Sequence, residues 1–311
     1  MSTDSFHAIS TFVKIAELRS LTKAASSLGF TPSGVSKVLT KLEERLGVRL
    51  VNRTTRSVNL TAEGYAFFER CRQILAELED AETAVQGRRT KLQGQLRIQM
   101  PVAFGRKIII PVLAQFLKQN NELTADVVLT DRVTALPDEG IDLVVHIGEV
   151  RSLSVIARKL CSLRYVTVAS PDYLAQYGEP QTPDDLQRHR CLAYYVPQTN
   201  SYRDWHFDMD GKHIVKTMSG SMNVNSAEGL LDAALTGVGI ATVSTFIAAD
   251  AVKSGQLRIV LRDYVSPGPD ISIIYLSRRH LPMRIQAFYE FLTAQMSPAP
   301  PWDSMCGLPR L

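Results

Sequence analysis

The most specific chemistry in this chain lies in residues 29–47, GFTPSGVSKVLTKLEERLG. Helical spacing puts Val35, Val38, Leu39, Leu42 and Leu46 on one side. Pro32, Ser33, Ser36, Lys37, Thr40 and Lys41 fall on the other. Small hydroxyls near a helix N-terminus can approach base edges and phosphates closely, and Lys37 can donate to a phosphate or to guanine acceptors. Shortly after comes Arg53-Thr54-Thr55-Arg56, a polar tip between two apolar runs. Arginines displayed there would reach a minor groove or a phosphate. The plainer alternative for each cation is a solvated surface charge.

The elements that must hold these residues follow from local signals. Phe6, Ile9, Val13 and Ala16 mark one face of a helix over 4–18. Ser20 can cap a second, short helix, LTKAASSL, which Gly29 ends. Thr31 caps a third, with Pro32 at its first position, where the missing N–H costs nothing. Ala25, Gly29, Val35 and Val38 stand at offsets 0, +4, +10 and +13. Those are the crossing residue, the left-handed turn and the two inward positions of a helix-turn-helix, whose second helix enters the major groove. Residues 48–60, VRLVNRTTRSVNL, read as two short strands joined by the basic tip, a β-wing. In 61–89, Phe68, Cys71, Leu75, Leu78 and Val85 form an approximate heptad seam, interrupted by Glu82. A helix of that length, about 40 Å at ~1.5 Å per residue, is expected to be a linker arm that packs on a partner.

Charge agrees with an anionic partner for the first module. Residues 1–60 hold nine Lys/Arg against four Asp/Glu, residues 61–90 four against six, and the remainder brings the chain to +4. The positive excess therefore sits in the first 60 residues. The four cysteines (Cys71, Cys161, Cys191, Cys306) form no CxxC pair, which argues for reduced structural thiols rather than a zinc site or disulfide framework. There is no run of ~18 apolar residues. MSTDSFHAIS lacks a basic start followed by an apolar run, so a cytoplasmic protein without membrane contact is expected.

From 94 onward the texture is α/β. QLRIQM (95–100), ADVVLT (125–130) and IDLVVHI (141–147) read as strands of a parallel sheet, with a helix-like 104–119 interrupted by Pro111. VIARKL (155–160) and RYVTVAS (164–170) follow as two further strands. A second set runs through 171–265: helical DYLAQYG and PDDLQRH, strands near 191–196 and 213–218, helix 226–237, strand 239–244 and helix TFIAADAVKSG. Strand 271–277 and helix 283–295 close the pattern. Two lobes, crossed near 163–168 and re-crossed near 267–271, with a cleft between them, account for this order. An anion could sit at the helix N-terminus near Val102–Gly105, where free N–H groups would point outward. The Pro-rich tail SPAPPWDSMCGLPRL is expected to be poorly ordered.

An enzyme, or a solute-binding protein with a helical appendage, is the competing reading. The chain has no GxSxG, HExxH, P-loop or GxGxxG, and its six histidines lack ligand spacing. No cofactor or metal is therefore expected.

SLTKAASSLGFTPSGVSKVLTKLEERLGVRLVNRTTRSVNLTAEG (20–64) resembles the N-terminal signature of LysR-type transcriptional regulators. GQLRIQMPVAFGRKIIIPVLAQF, GIDLVVHIGEV, ASPDYLAQYGEP and GVGIATV resemble blocks of that family's effector domain. The resemblance implies a winged helix-turn-helix over 1–60, a linker and dimerisation helix over 61–90, and a two-lobed α/β effector domain over 91–297, similar to periplasmic binding proteins. Lobe I would take about 91–163 and 268–297, lobe II about 164–267, with 298–311 as tail.

The resemblance places DNA contacts on Thr31, Pro32, Ser33, Ser36, Lys37, Arg53 and Arg56, beside Lys41 from the helix pattern. It places the effector cleft on Met100, Pro101, Val102, Ala103, Thr130, Asp131, His146, Ile147, Asn223, Asn225 and Ser226. It implies a homo-oligomer and a small-molecule effector; two copies reading successive major grooves would then take a partly palindromic DNA site, with the effector changing DNA bending or contact with RNA polymerase. Two positions depart from the family. His146 stands where arginine is common, and a part-charged histidine predicts against an acid-type effector. Ser244 replaces a proline common after the GIA segment.

Overall fold

A computed structural model describes residues 3–53, 58–85, 92–132, 140–150, 155–197, 199–209, 211–218, 220–276 and 281–309. The chain divides into two compact units, Met1–Gly94 with Asp138–Ile141, and Gln95–Pro137 with Asp142–Leu311.

In the first unit α1 (Thr3–Leu18), α2 (Leu21–Leu28) and α3 (Pro32–Leu46) precede β1 (Val51–Arg53), β2 (Val58–Leu60) and the long α4 (Ala62–Val85). β1 and β2 pair antiparallel, Val51 opposite Leu60. One core gathers Phe12, Val13 and Ile15 of α1, Ala24 and Ala25 of α2, Val35, Leu39 and Leu42 of α3, and Leu50 before the wing. Two expected core positions are outside it: Phe6 and Leu46 are exposed. The buried stripe of α1 runs through Ala8, Phe12 and Ile15 as well, wider than the spacing of 3 and 4 suggested.

The second unit begins with β3 (Gly94–Met100), α5 (Val102–Phe104), a π turn at Gly105–Ile109 and α6 (Ile110–Gln119). Pro111 does not break this helix. The N–H of Ile110 reaches back to the Gly105 carbonyl, an i→i+5 bond that widens the ladder just before the residue that cannot donate. β4 (Leu123–Leu129), β5 (Leu143–Ile147), β6 (Val155–Ala169), α7 (Pro171–Tyr177), β7 (Cys191–Val196), β8 (Ser201–Tyr202), β9 (Trp205–Met209), β10 (Lys212–Lys216) and β11 (Met222–Val224) follow. α8 (Ala227–Leu235), β12 (Ile240–Ser244), α9 (Thr245–Lys253), β13 (Arg258–Val260), β14 (Pro267–Leu276), α10 (Met283–Met296) and α11 (Pro301–Met305) complete it.

The sheet is mixed rather than parallel. Its order is β11-β7-β12-β6-β14-β5-β3-β4, with β13 on β6 and β8 on β7. β3 and β5 are parallel, as are β7, β11 and β12. β6 and β14 run antiparallel to each other, from Pro267 opposite Arg164 to Leu276 opposite Val155. These two strands join the group β5-β3-β4 to the group β12-β7-β11. The expected break between 160 and 164 does not exist, because Ser162 donates from β6 to the Asp270 carboxylate of β14, 2.9 Å away, and the ladder continues.

The tail is also ordered where described. α11 is buried at Trp302 and Asp303, with Cys306 and Leu308 buried after it. The Arg164 guanidinium donates to the Pro309 carbonyl at 2.6 Å, and that of Arg262 to the carbonyls of Cys306 and Gly307 at 3.1 and 2.9 Å. Proline richness removed helix propensity without removing the apolar anchors.

Candidate DNA-reading face and effector cleft

Each end of the helix-turn-helix is fixed by a local bond. Ser20, in an extended conformation, accepts from the Lys23 N–H at 3.3 Å and starts α2. Gly29 adopts φ +71°, a left-handed conformation in which glycine carries no Cβ penalty, and the Phe30 N–H returns to the Ala25 carbonyl at 2.9 Å. Thr31 Oγ1 accepts from the Gly34 N–H at 3.1 Å and caps α3, with Pro32 at its first turn. Val35, Leu39 and Leu42 then face the core, so the opposite side of α3 is fixed without further choice.

That opposite side leaves Thr31, Pro32, Ser33, Lys37 and Lys41 exposed, and Ser36 half-buried. The wing is tied to the same helix. The Glu43 carboxylate accepts from the N–H groups of Leu50 and Val51 at 2.8 and 3.1 Å. Thr61 Oγ1 donates to the Arg49 carbonyl at 2.7 Å. Gly64 is required there, since a Cβ would come 1.9 Å from the Leu50 carbonyl oxygen. Arg53 ends β1. Its side chain, and Arg56 with the rest of the tip, lie outside the described residues.

The seam on α4 divides differently from the heptad expectation. Phe68 and Cys71 are buried in the core of their own unit, with Leu75 packed against it. An apolar stripe fits its own domain as well as a partner, and α4 packs on α1 here. Leu78 is exposed, as are Tyr65 and Ile74. Val85 ends the helix, its side chain outside the described residues.

A cleft of about 380 Å³ opens in the second unit. Met100, Pro101, Val102, Ala103, Thr130, Asp131, His146, Ile147 and Ser226 line it, as the resemblance implied. Asn223 and Asn225 do not. Both are exposed, and Asn223 Oδ1 accepts from the Gly220 N–H in a tight turn. Ser226 Oγ caps α8 by accepting from the Gly229 N–H at 3.2 Å. The expected anion site at the start of α5 is filled from within, because Asp131 Oδ1 accepts from the Val102 N–H at 3.0 Å. His146 is buried, with Nε2 3.2 Å from the Glu149 carbonyl. A carbonyl only accepts, so Nε2 carries the proton.

Several wall residues were not anticipated, among them Tyr165, Tyr194, Arg203 and Phe246. The Arg203 guanidinium lies 3.8 Å from the Tyr194 ring centroid and 5.7 Å from that of Tyr165. Burial pushes the Tyr194 phenol up, so it stays neutral. Two ion pairs tie the π turn after α5 to α8 and α9: Arg106 to Glu228 at 3.0 Å, and Lys107 to Asp250 at 3.2 Å. Among the described residues no group of three His, Cys, Asp or Glu side chains could hold a metal, and no helix is long and apolar enough to cross a membrane.

Residues 6–65 match the bacterial regulatory helix-turn-helix protein, lysR family, and residues 89–297 match the LysR substrate binding domain. The chain belongs to the LysR family of transcriptional regulators. A relative in Escherichia coli K12, the uncharacterized HTH-type transcriptional regulator YhjC, is 33% identical over 295 residues, covering 94% of this chain and 98% of that one. An HTH-type transcriptional repressor of Pseudomonas aeruginosa is 31% identical, covering 93% and 91%. Among solved structures, CrgA of Neisseria meningitidis, a LysR-type transcriptional regulator, is 29% identical with a TM-score of 0.60, covering 94% and 98%. LysR regulators bind DNA through the helix-turn-helix and a small-molecule effector through the substrate domain, and this chain is a regulator rather than an enzyme.

Proposed function

We propose that α3 reads the operator. Ser33 and Ser36 approach base edges, Lys37 reaches a base or phosphate, and Thr31, Pro32 and Lys41 stand at the backbone. Arg53 and Arg56 of the wing take the adjacent minor groove or phosphates. The carrying observation is that Gly29 and the Thr31 cap fix α3 with Val35, Leu39 and Leu42 inward, which leaves only this polar face for DNA. Two copies, paired through α4 at the exposed Ile74 and Leu78, which share a face one turn apart, would place two such helices in successive major grooves of a partly palindromic site.

The proposed division is 1–60 for reading, 61–90 for pairing and 91–297 for effector binding, in a cytoplasmic protein. The cleft holds the effector between two lobes. Its occupancy biases their closure and, through the paired helices, DNA geometry or contact with RNA polymerase.

Fluorescence anisotropy tests this reading, with DNA from upstream of the chain's own coding sequence against a shuffled duplex. Specific retention of the upstream duplex is expected, with affinity falling steeply with salt. Alanine at Lys37 should take about two units off the log–log salt slope of a dimer, at ~0.9 per phosphate contact. Equal binding of both duplexes would refute it.

A further inference from the structure

Two arginines line the cleft, Arg132 exposed and Arg203 half-buried, and among the described residues neither has a carboxylate within ion-pair distance. Glu228 is paired with Arg106, and the Asp131 carboxylate, in the same lining, accepts from the Val102 N–H. His146 gives its Nε2 proton to a carbonyl. Arg203 lies in the wall with its guanidinium against the ring and hydroxyl of Tyr194 and near the ring of Tyr165. Its backbone N–H donates to the Tyr194 carbonyl at 2.8 Å, which fixes the residue against the end of β7. One N–H of the guanidinium meets the Tyr194 hydroxyl, and the remaining donors of its five can take a planar, two-oxygen acceptor.

Resting on the reading of this cleft as the effector site, we propose that the effector is a small organic carboxylate, with its acid group on the Arg203 fork and its body on the apolar wall of Val144, Ile147, Leu163 and Phe246. The cation therefore comes from the β7–β8 side, opposite the strand that carries His146. An acid is taken although position 146 is not arginine. The cavity, about 380 Å³, lies at the small end of the ~300–1,000 Å³ usual for ligand pockets, with room for a ring or a short chain. Lysine at 203 would supply the charge without the fork or the stack.

Calorimetry on the full chain tests this with two matched pairs, cyclohexanecarboxylate with its carboxamide and hexanoate with hexanamide. At least one acid should bind, and its amide should bind no better than a tenth as well. Arg203→Gln should weaken the acid roughly tenfold to hundredfold, the range of a charge-assisted pair, and remove the acid preference. Arg203→Lys should fall between. Arg258→Gln, which removes a cation paired to Glu179 outside the cleft, should change neither. Melting of each variant without ligand controls for folding.

Failure to bind either acid, or an equal loss in Arg258→Gln, would overturn the proposal. If acids and amides bind alike and Ile147→Phe abolishes both, Arg203 is not the determinant while the cleft reading stands. Binding indifferent to both Arg203→Gln and Ile147→Phe places the ligand elsewhere, and the cleft reading falls with the proposal.

Discussion

Phe104 and Phe246 meet edge to face, ring centroids 5.1 Å apart, one from the helix after β3 and the other from the helix after β12. Both line the cleft. Trp302 of the tail packs edge-on against each, at 5.9 and 6.2 Å. The C-terminal segment thus closes the aromatic floor on which the two strand groups meet. Trp302→Ala should destabilise the second unit by about 3–5 kcal/mol, the usual cost of emptying a buried large aromatic site. Trp302→Phe should cost much less, since the buried Nε1 has no partner to lose. Urea unfolding followed by Trp205 fluorescence measures the alanine variant within that unit, and an unchanged midpoint would show that the tail contributes nothing.

Gly34 stands in the first turn of α3, in a helical conformation that any residue can adopt. Alanine there should gain roughly 0.5–1 kcal/mol of helix stability. The new Cβ would lie 3.2 Å from Thr31 Oγ1, a tight contact that the exposed cap residue can relieve by a small shift. Gly34→Ala should therefore raise the melting temperature of the first unit. A lowered one would mean that strain at the Thr31 cap outweighs the propensity gain.

Burial pushes the thiols of Cys71 and Cys306 up to about 11 and those of Cys161 and Cys191 to about 12. At neutral pH the thiolate fraction is negligible and access is blocked. A thiol reagent such as DTNB should leave the native protein unlabelled and label four sites in guanidinium chloride. Rapid labelling of one site under native conditions would contradict the buried arrangement.

The Lys159 ammonium, 2.8 Å from the Asp270 carboxylate, holds that carboxyl below its ordinary value, helped by Ser162. A folded-state value below the unfolded one gives stability that is full above the unfolded value, ~3.9, and is lost as pH falls through the folded one. Asp270→Asn should cost only about 0.2–1 kcal/mol at neutral pH, because the pair is half exposed. The deficit should shrink as pH drops below ~4. A deficit that grows on acidification, in urea midpoints across that range, would reverse the assignment.

Much of the reading module was legible because its signals are local. Ser20, Gly29, Thr31 and Pro32 each act within four residues of the bond they make, and each holds the place their spacing implied. The cleft was legible only where strand ends mark it. Arg203 follows the two-residue β8 and carries no periodicity, and the tyrosines it stacks on read as ordinary strand residues. Phe68 and Cys71 have the right spacing for a partner and for their own core, and only packing distinguishes the two. The tail misled because Pro298, Pro300 and Pro301 dominate its composition, while the anchoring is done by Trp302, Cys306 and Leu308.

The claim that α3 is the reader is tested most directly by replacing Ser36 and Lys37 together with alanine. Affinity for the upstream duplex is then compared with that for a shuffled one by gel retardation. The account predicts that preference for the upstream duplex disappears while melting and oligomeric state stay as in the parent. Retained preference in a folded double variant would show that another surface reads the DNA.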